Sequence, residues 1–144
     1  MKHGANQHGM TLVELMVAIA IFSILMAIAI PNFIQRMDRA REGAVKANMS
    51  TLQLAAEDYA VQNQGAYSST LDGTHIGNQL PQSFSNPYSG GHGSGDAYED
   101  RLYLYEAPSA TPGIVSYADS VTSTYNIKGA ARQGPLHLVL ASGH

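Results

Sequence analysis

Apolar and polar residues divide this chain into three regimes. From Leu15 to Ile30 nothing is polar except Ser23. With Met10 to Glu14 added, the run is about 20 residues, which as an α-helix of ~1.5 Å rise spans ~30 Å, the hydrocarbon thickness of a bilayer. It is apolar on all sides, which predicts burial in lipid or in the middle of an assembly. From Asn32 to Asn63 there is no proline and one glycine, Gly43. Apolar or small residues recur there at Met37, Ala40, Ala44, Val45, Met49, Leu52, Ala56 and Tyr59, near helical spacing. Gly65, after Asn63-Gln64, is a C-cap signal. The two stretches predict one helix from Met10 to about Asn63, roughly 80 Å long at 1.5 Å per residue. Pro31 removes a backbone donor and predicts a kink or loosening over Ala27 to Ile30.

The third regime is loop, then strand. Residues 65–100 hold Pro81, Pro87 and the run SGGHGSG from Ser89 to Gly95, which reads as a mobile surface loop. Over 101–140 four short stretches read as strands: Arg101–Glu106 and Thr124–Lys128 alternate in the β manner, Ile114–Ala118 is short and β-rich, and Leu136–Leu140 is the most apolar. Pro108, Pro112, Gly129, Gly134 and Pro135 punctuate them. Connections too short for crossover helices predict antiparallel pairing. The expected fold class is α+β, one very long N-terminal helix packed on a small antiparallel sheet of three to four strands. The expected segments are 1–9 (a leader), 10–31 (the apolar transmembrane or assembly helix), 32–64 (its amphipathic second half) and 65–144 (a globular head).

Composition removes several function classes. Net charge is −3 and the basic residues are few and scattered, so no nucleic-acid partner is expected. Cysteine is absent, which excludes a disulfide framework. No catalytic motif is present, and His75, His92, His137 and His144 lie far apart. No enzyme activity and no cofactor are expected. Asn48-Met49-Ser50 fits a glycosylation triplet but falls in the predicted helix, where a chance match is the default.

Glu14 does not suit a plain anchor. A carboxylate inside lipid costs on the order of 3 kcal/mol and normally has a partner and a role. Lys2 is the only Lys or Arg before it, so the partner must come from elsewhere, for example an amine made by cutting the chain nearby. Three other readings fit parts of the pattern. Ala27-Ile28-Ala29 imitates a signal-peptide cleavage site, the run could be a simple single-span anchor, and Glu14 could stabilise a helix start through the dipole.

A polar leader ending in Gly9, then Met10, Thr11, Leu12, Val13 and Glu14, then an apolar run ending at Pro31, resembles the type IV pilin family, including the pseudopilins of type II secretion. The resemblance implies cleavage by a prepilin peptidase between Gly9 and Met10 and N-methylation of Met10. It also implies filament assembly through Glu14 with Thr11, Leu12 and Val13, Glu14 meeting the free amine of a neighbouring subunit, and helix melting at Pro31. The implied partners are further copies of the chain, the peptidase, an inner-membrane assembly platform, and membrane lipid before assembly. The implied location is the inner membrane first, then an extracellular or periplasmic filament. The charge rule for orientation disagrees, because Arg36, Arg39, Arg41 and Lys46 follow the run.

Two uses of such a subunit are expected alternatives: a pilus for adhesion, motility or DNA uptake, and a secretion pseudopilus. Major pseudopilins often bind calcium near their C-terminal end. Here Gly129 to Gly134 lacks the acidic residues that family uses, which tilts the reading to the pilus. Asp96, Glu99 and Asp100 are weak calcium candidates beside flexible glycines. A non-polymerising, membrane-anchored binding domain is the alternative from a different class.

Overall fold

A computed structural model of the chain describes residues 10–120 and 123–142. The chain falls into two compact units, Met1–Met37 and Asp38–His144. In the first, the described residues carry the start of α1 (Leu12–Gln62), whose helical assignment passes through Pro31 without interruption. The expected loosening over Ala27 to Ile30 is therefore no break in the helix. Pro31 has no N–H for the carbonyl of Ala27. Next to it, Asn32 Nδ2 donates to the Ile28 carbonyl at 3.1 Å.

The second unit packs the later turns of α1 on a sheet of four strands: β1 (Tyr98–Arg101), β2 (Val115–Ser120), β3 (Thr124–Ala131) and β4 (Gly134–Ala141), in that spatial order. Val45, Met49, Leu52, Ala55 and Ala56 of the helix meet Val115, Tyr117, Tyr125 and Ile127 of the sheet in one buried cluster. Leu71, Ile76 and Phe84 from the loop region complete it. Glu57 links helix to sheet through its carboxylate, which accepts from Tyr125 Oη at 2.6 Å and Tyr67 Oη at 3.1 Å. Burial, and then the bond to Glu57, push the Tyr125 hydroxyl well above its ordinary pKa.

The helix ends in a Schellman-type turn, with Gly65 N–H donating to the Ala60 carbonyl at 2.8 Å. The left-handed C′ position of this turn is held by Gln64 (φ 59°), while Gly65 (φ 87°) follows it. The cap thus falls one residue before the expected glycine.

Two strand expectations are corrected. Arg101–Glu106 is not a strand: β1 ends at Arg101 and residues 102–105 form bends and turns, with Leu102 74% and Tyr105 80% exposed. And β1 pairs with β2 in parallel, Tyr98 opposite Val115, although β2–β3 and β3–β4 are antiparallel. A parallel pair needs a connection of roughly a dozen residues, helical or not, and residues 102–114 provide it. This crossover covers the sheet face opposite the helix. Asn126 Nδ2 and Lys128 Nζ, on that face of β3, both donate to the Leu104 carbonyl at 2.6 Å, and Lys128 Nζ also donates to Glu106 O at 2.7 Å.

β4 is an edge strand, which is why it tolerates Pro135. Gly129 lies at a register shift in β3, where a Cβ would stand 2.8 Å from Val45 Cγ1 and 2.9 Å from Met49 Sδ. The helix approaches the sheet closely there because a side chain is missing. Gly129→Ala is expected to destabilise the chain by about 1–3 kcal/mol through overpacking. Gly43→Ala has open space around it in the same helix and should stabilise by about 0.5–1 kcal/mol. Opposite shifts in thermal midpoint for the two variants check the packing.

The run Ser89–Gly95 is a set of stitched turns and not a free loop. Asn86, 1% exposed, organises it. Its Nδ2 donates to the carbonyls of Asp96 (2.8 Å) and Pro112 (2.9 Å), while its Oδ1 accepts from Tyr88 N–H (2.8 Å) and Ser89 N–H (3.3 Å). Its backbone N–H donates to Gly91 O, and its carbonyl accepts from Gly90 N–H, both at 2.8 Å. Gly113 (φ 93°) leaves the room this requires, since a Cβ there would overlap Asn86 Oδ1.

Candidate functional site at the N-terminal helix

The helix start is built by two side chains. Thr11 occupies the N-cap and Glu14 the third helical position. Thr11 N–H and Thr11 Oγ1 both donate to Glu14 Oε2 at 2.9 Å, and Glu14 N–H donates to Thr11 Oγ1 at 3.2 Å. This reciprocal pair is a capping box, which satisfies two of the four N–H groups that a helix start leaves open. Both donors to Glu14 are neutral, so they stabilise its carboxylate without cancelling its charge.

The helix behind this cap is bare. Leu12, Val13, Leu15, Met16, Val17, Ile19, Ile21, Phe22, Ile24, Leu25, Met26, Ile28 and Ile30 are all exposed. The only polar side chain between Leu15 and Ile30 is tied down, with Ser23 Oγ donating to the Ile19 carbonyl at 2.7 Å. The helix is long and apolar enough to cross a membrane. Monomeric soluble proteins do not expose apolar surface of this extent.

Of the residues singled out from sequence, Met10, Thr11, Leu12, Val13 and Glu14 come together at this helix start. Gly9 lies outside the described residues, as do His3 and His8. Pro31 lies within α1.

The acidic candidates do not converge on an ion. Glu99 Oε2 accepts from Arg101 Nη2 at 3.0 Å and Glu99 Oε1 from Ser109 N–H at 2.6 Å. Among the described residues no three His, Asp or Glu side chains are placed to share a metal. Asn48 is engaged, donating from Nδ2 to the Ser85 carbonyl at 2.8 Å.

One group imitates a catalytic relay. His75 Nδ1 lies 2.5 Å from Asp72 Oδ1, 2.9 Å from Thr74 Oγ1 and 3.4 Å from Thr70 Oγ1. The His75 bond, then the Thr74 hydroxyl, hold the Asp72 carboxyl at a pKa of about 2. A relay needs carboxylate and nucleophile on opposite ring nitrogens. Here carboxylate and hydroxyls crowd the same nitrogen, and Asp72 Oδ1 also accepts from Thr74 N–H at 3.0 Å and His75 N–H at 3.1 Å, so the group closes the turn that precedes the 3-10 helix Ile76–Gln79.

The described chain thus joins a membrane-length apolar helix opened by a Thr–Glu box to a small α+β head built on the helix's later turns. Residues 4–30 match the family described as the prokaryotic N-terminal methylation motif. The chain is 45% identical over 58 residues to the type IV major pilin protein PilA of Myxococcus xanthus, which covers 40% of this chain and 26% of that protein. It is 35% identical over 68 residues to the type II secretion system core protein G of Pseudomonas aeruginosa, covering 47% of each. It is 36% identical over 90 residues to the type IV narrow pilus major component PilA5 of Thermus thermophilus, covering 62% of this chain and 67% of that protein. The matched stretch thus spans about a quarter and about half of the first two relatives. No solved structure matches the chain. On the extent of the third match, the chain belongs to the type IV pilin and pseudopilin family.

Proposed function

We propose that this chain is a prepilin. It is cut between Gly9 and Met10 by a prepilin peptidase, N-methylated at Met10, and polymerised through its N-terminal helix into a type IV pilus filament for adhesion, motility or DNA uptake. Before assembly it sits in the inner membrane as a single-span protein. An inner-membrane platform then draws it into an extracellular filament. The observation that carries this reading is the helix exposed on every side, with a capped carboxylate at its start that has no cationic partner among the described residues. Lipid covers that helix in the parked subunit, and the helices of other copies cover it in the filament. The exchange costs little apolar free energy, because both surroundings are oily. The charge on Glu14 decides the register, since a methylated amine on the Met10 of a neighbouring copy neutralises it. The role is structural and involves no catalysis. Thr11, Leu12 and Val13 form the face next to that contact, and Pro31 is the point where the helix can loosen as subunits pack.

A second use has its own support. The match to a secretion core protein favours a pseudopilus as the alternative assembly. Long filaments sheared from cells identify the pilus, and loss of exported enzymes on deletion identifies the pseudopilus. The mass of the mature protein tests the reading common to both. A chain starting at Met10 and heavier by one methyl group is expected. An intact leader on a monomeric protein would overturn the assembly reading and leave a membrane-anchored binding domain.

A further inference from the structure

The head has a polar distribution of charge. From Asp38 onward its basic residues are Arg39, Arg41, Lys46, Arg101, Lys128 and Arg132. Arg101 is bound to Glu99 at 3.0 Å, and Lys128 Nζ is consumed by the crossover carbonyls. The other four gather where α1 enters the head, with only Asp38 and Glu42 among them. Arg132, on the turn between β3 and β4, brings Nη1 to 3.5 Å from Asp38 Oδ2, and Arg41 brings Nη1 to 3.9 Å from Asp38 Oδ1. Both guanidinium carbons stand over the Tyr88 ring, at 5.9 and 5.3 Å from its centre. Each guanidinium has five N–H donors and makes one long contact with Asp38, so most of its donors remain available to a ligand. Elsewhere in the head, eight carboxylates face the two committed cations.

The covalent chain fixes where this cluster can be. Asp38 follows Ile30, the end of the apolar run, by eight residues. Whatever the backbone does, that distance is at most about 29 Å. Resting on the membrane residence proposed above, we infer that Arg39, Arg41, Lys46 and Arg132 form a docking surface for the phosphate headgroups of anionic phospholipid, occupied while the subunit waits in the bilayer. Phosphate suits the forked donors of arginine. The same field repels the carboxylates of the remaining head, so one end of the head is selected. The inference also gives a use to positive charge placed after the span, where the orientation rule disfavours it. Polymerisation then has to strip these headgroups away.

The test uses the full chain in nanodiscs of phosphatidylcholine, with and without phosphatidylglycerol. The sequence has no cysteine, so Gln133→Cys accepts a single fluorescent label beside Arg132, read against a quencher attached to lipid headgroups. Quenching is expected to be several-fold stronger in the anionic discs and to fade at about 1 M salt. The paired variant Arg39→Gln and Arg132→Gln should lower the lipid affinity about fivefold per charge removed. Arg132→Lys should retain most of the effect. Equal quenching in both lipids, or no response to the paired variant, overturns the inference. So does displacement by inorganic phosphate at matched ionic strength, which would mark a free-anion site. A signal that grows with the number of chains per disc would mark a second copy and overturns it too. A label on Ser23→Cys, quenched by brominated acyl chains, reports insertion separately. Without that signal membrane residence itself fails; with it and a silent Gln133 label, only the docking surface fails.

Discussion

Glu14→Gln is expected to enter the membrane normally, keep an ordered helix start and yield almost no filaments. Glutamine serves the capping box as glutamate does, because its carbonyl oxygen accepts from Thr11 N–H. What disappears is the charge. An amine brought beside Glu14 from another copy gains a Coulomb term of about 4 kcal/mol at 4 Å with an effective dielectric near 20. Beside glutamine it gains a hydrogen bond and buries an unpaired cation. A difference of 3 kcal/mol lowers each assembly step by over a hundredfold. Thr11→Ala is the complementary variant. It keeps the charge, removes the Oγ1 bonds, and should loosen the helix start by about 1 kcal/mol while filaments still form. Sheared filament mass per cell, measured beside the membrane fraction of the monomer, separates the cap from the charge. A Gln variant that polymerises like the parent would show that Glu14 acts only as a cap.

Asn86→Ala is expected to unfold the head at a far lower temperature. The substitution removes four side-chain bonds at a position that excludes water. It leaves the carbonyls of Asp96 and Pro112 and the N–H of Tyr88 without partners. Buried groups stranded in this way cost about 1–3 kcal/mol each. Part of that is recovered by relaxation, and the expected total is about 3–5 kcal/mol, at the severe end for one residue. For a head of this size the thermal midpoint should fall by about 15 °C or more. Asn78→Ala, on the exposed surface of the 3-10 turn, should leave the midpoint unchanged. A small shift for Asn86→Ala would mean that the loop it ties contributes little to the stability of the head.

The sequence made some of this legible and hid the rest, for physical reasons. The apolar run and the helical period after Pro31 are strong because they are long. The strands β2, β3 and β4 also show, in a β-rich stretch, an alternating one and an apolar one, though β3 and β4 extend beyond their expected stretches to include the punctuating Gly129, Gly134 and Pro135. Arg101–Glu106 alternates just as well, yet its carbonyls are claimed by side chains on β3 and leave no ladder to join. The parallel pairing of β1 and β2 leaves no mark in the sequence, because its crossover contains no helix. The Thr11–Glu14 box is legible as a Thr-x-x-Glu spacing before an apolar run. Asn86 gave no signal, since Asn-Pro-Tyr reads as an ordinary turn and its partners lie ten and 26 residues away. The meeting of Arg132 with Asp38, 94 residues apart, is of the same kind.

The clamp on the crossover has a consequence for variation. Lys128 and Asn126 grip carbonyl oxygens, and every amino acid carries one. The side chains of Leu102, Tyr103 and Tyr105 are exposed and take no part in that grip. Exchanges at these three positions should therefore change the exposed surface of the head and leave the scaffold beneath as stable as before. Such a surface can diversify from one generation to the next while its foundation is inherited intact.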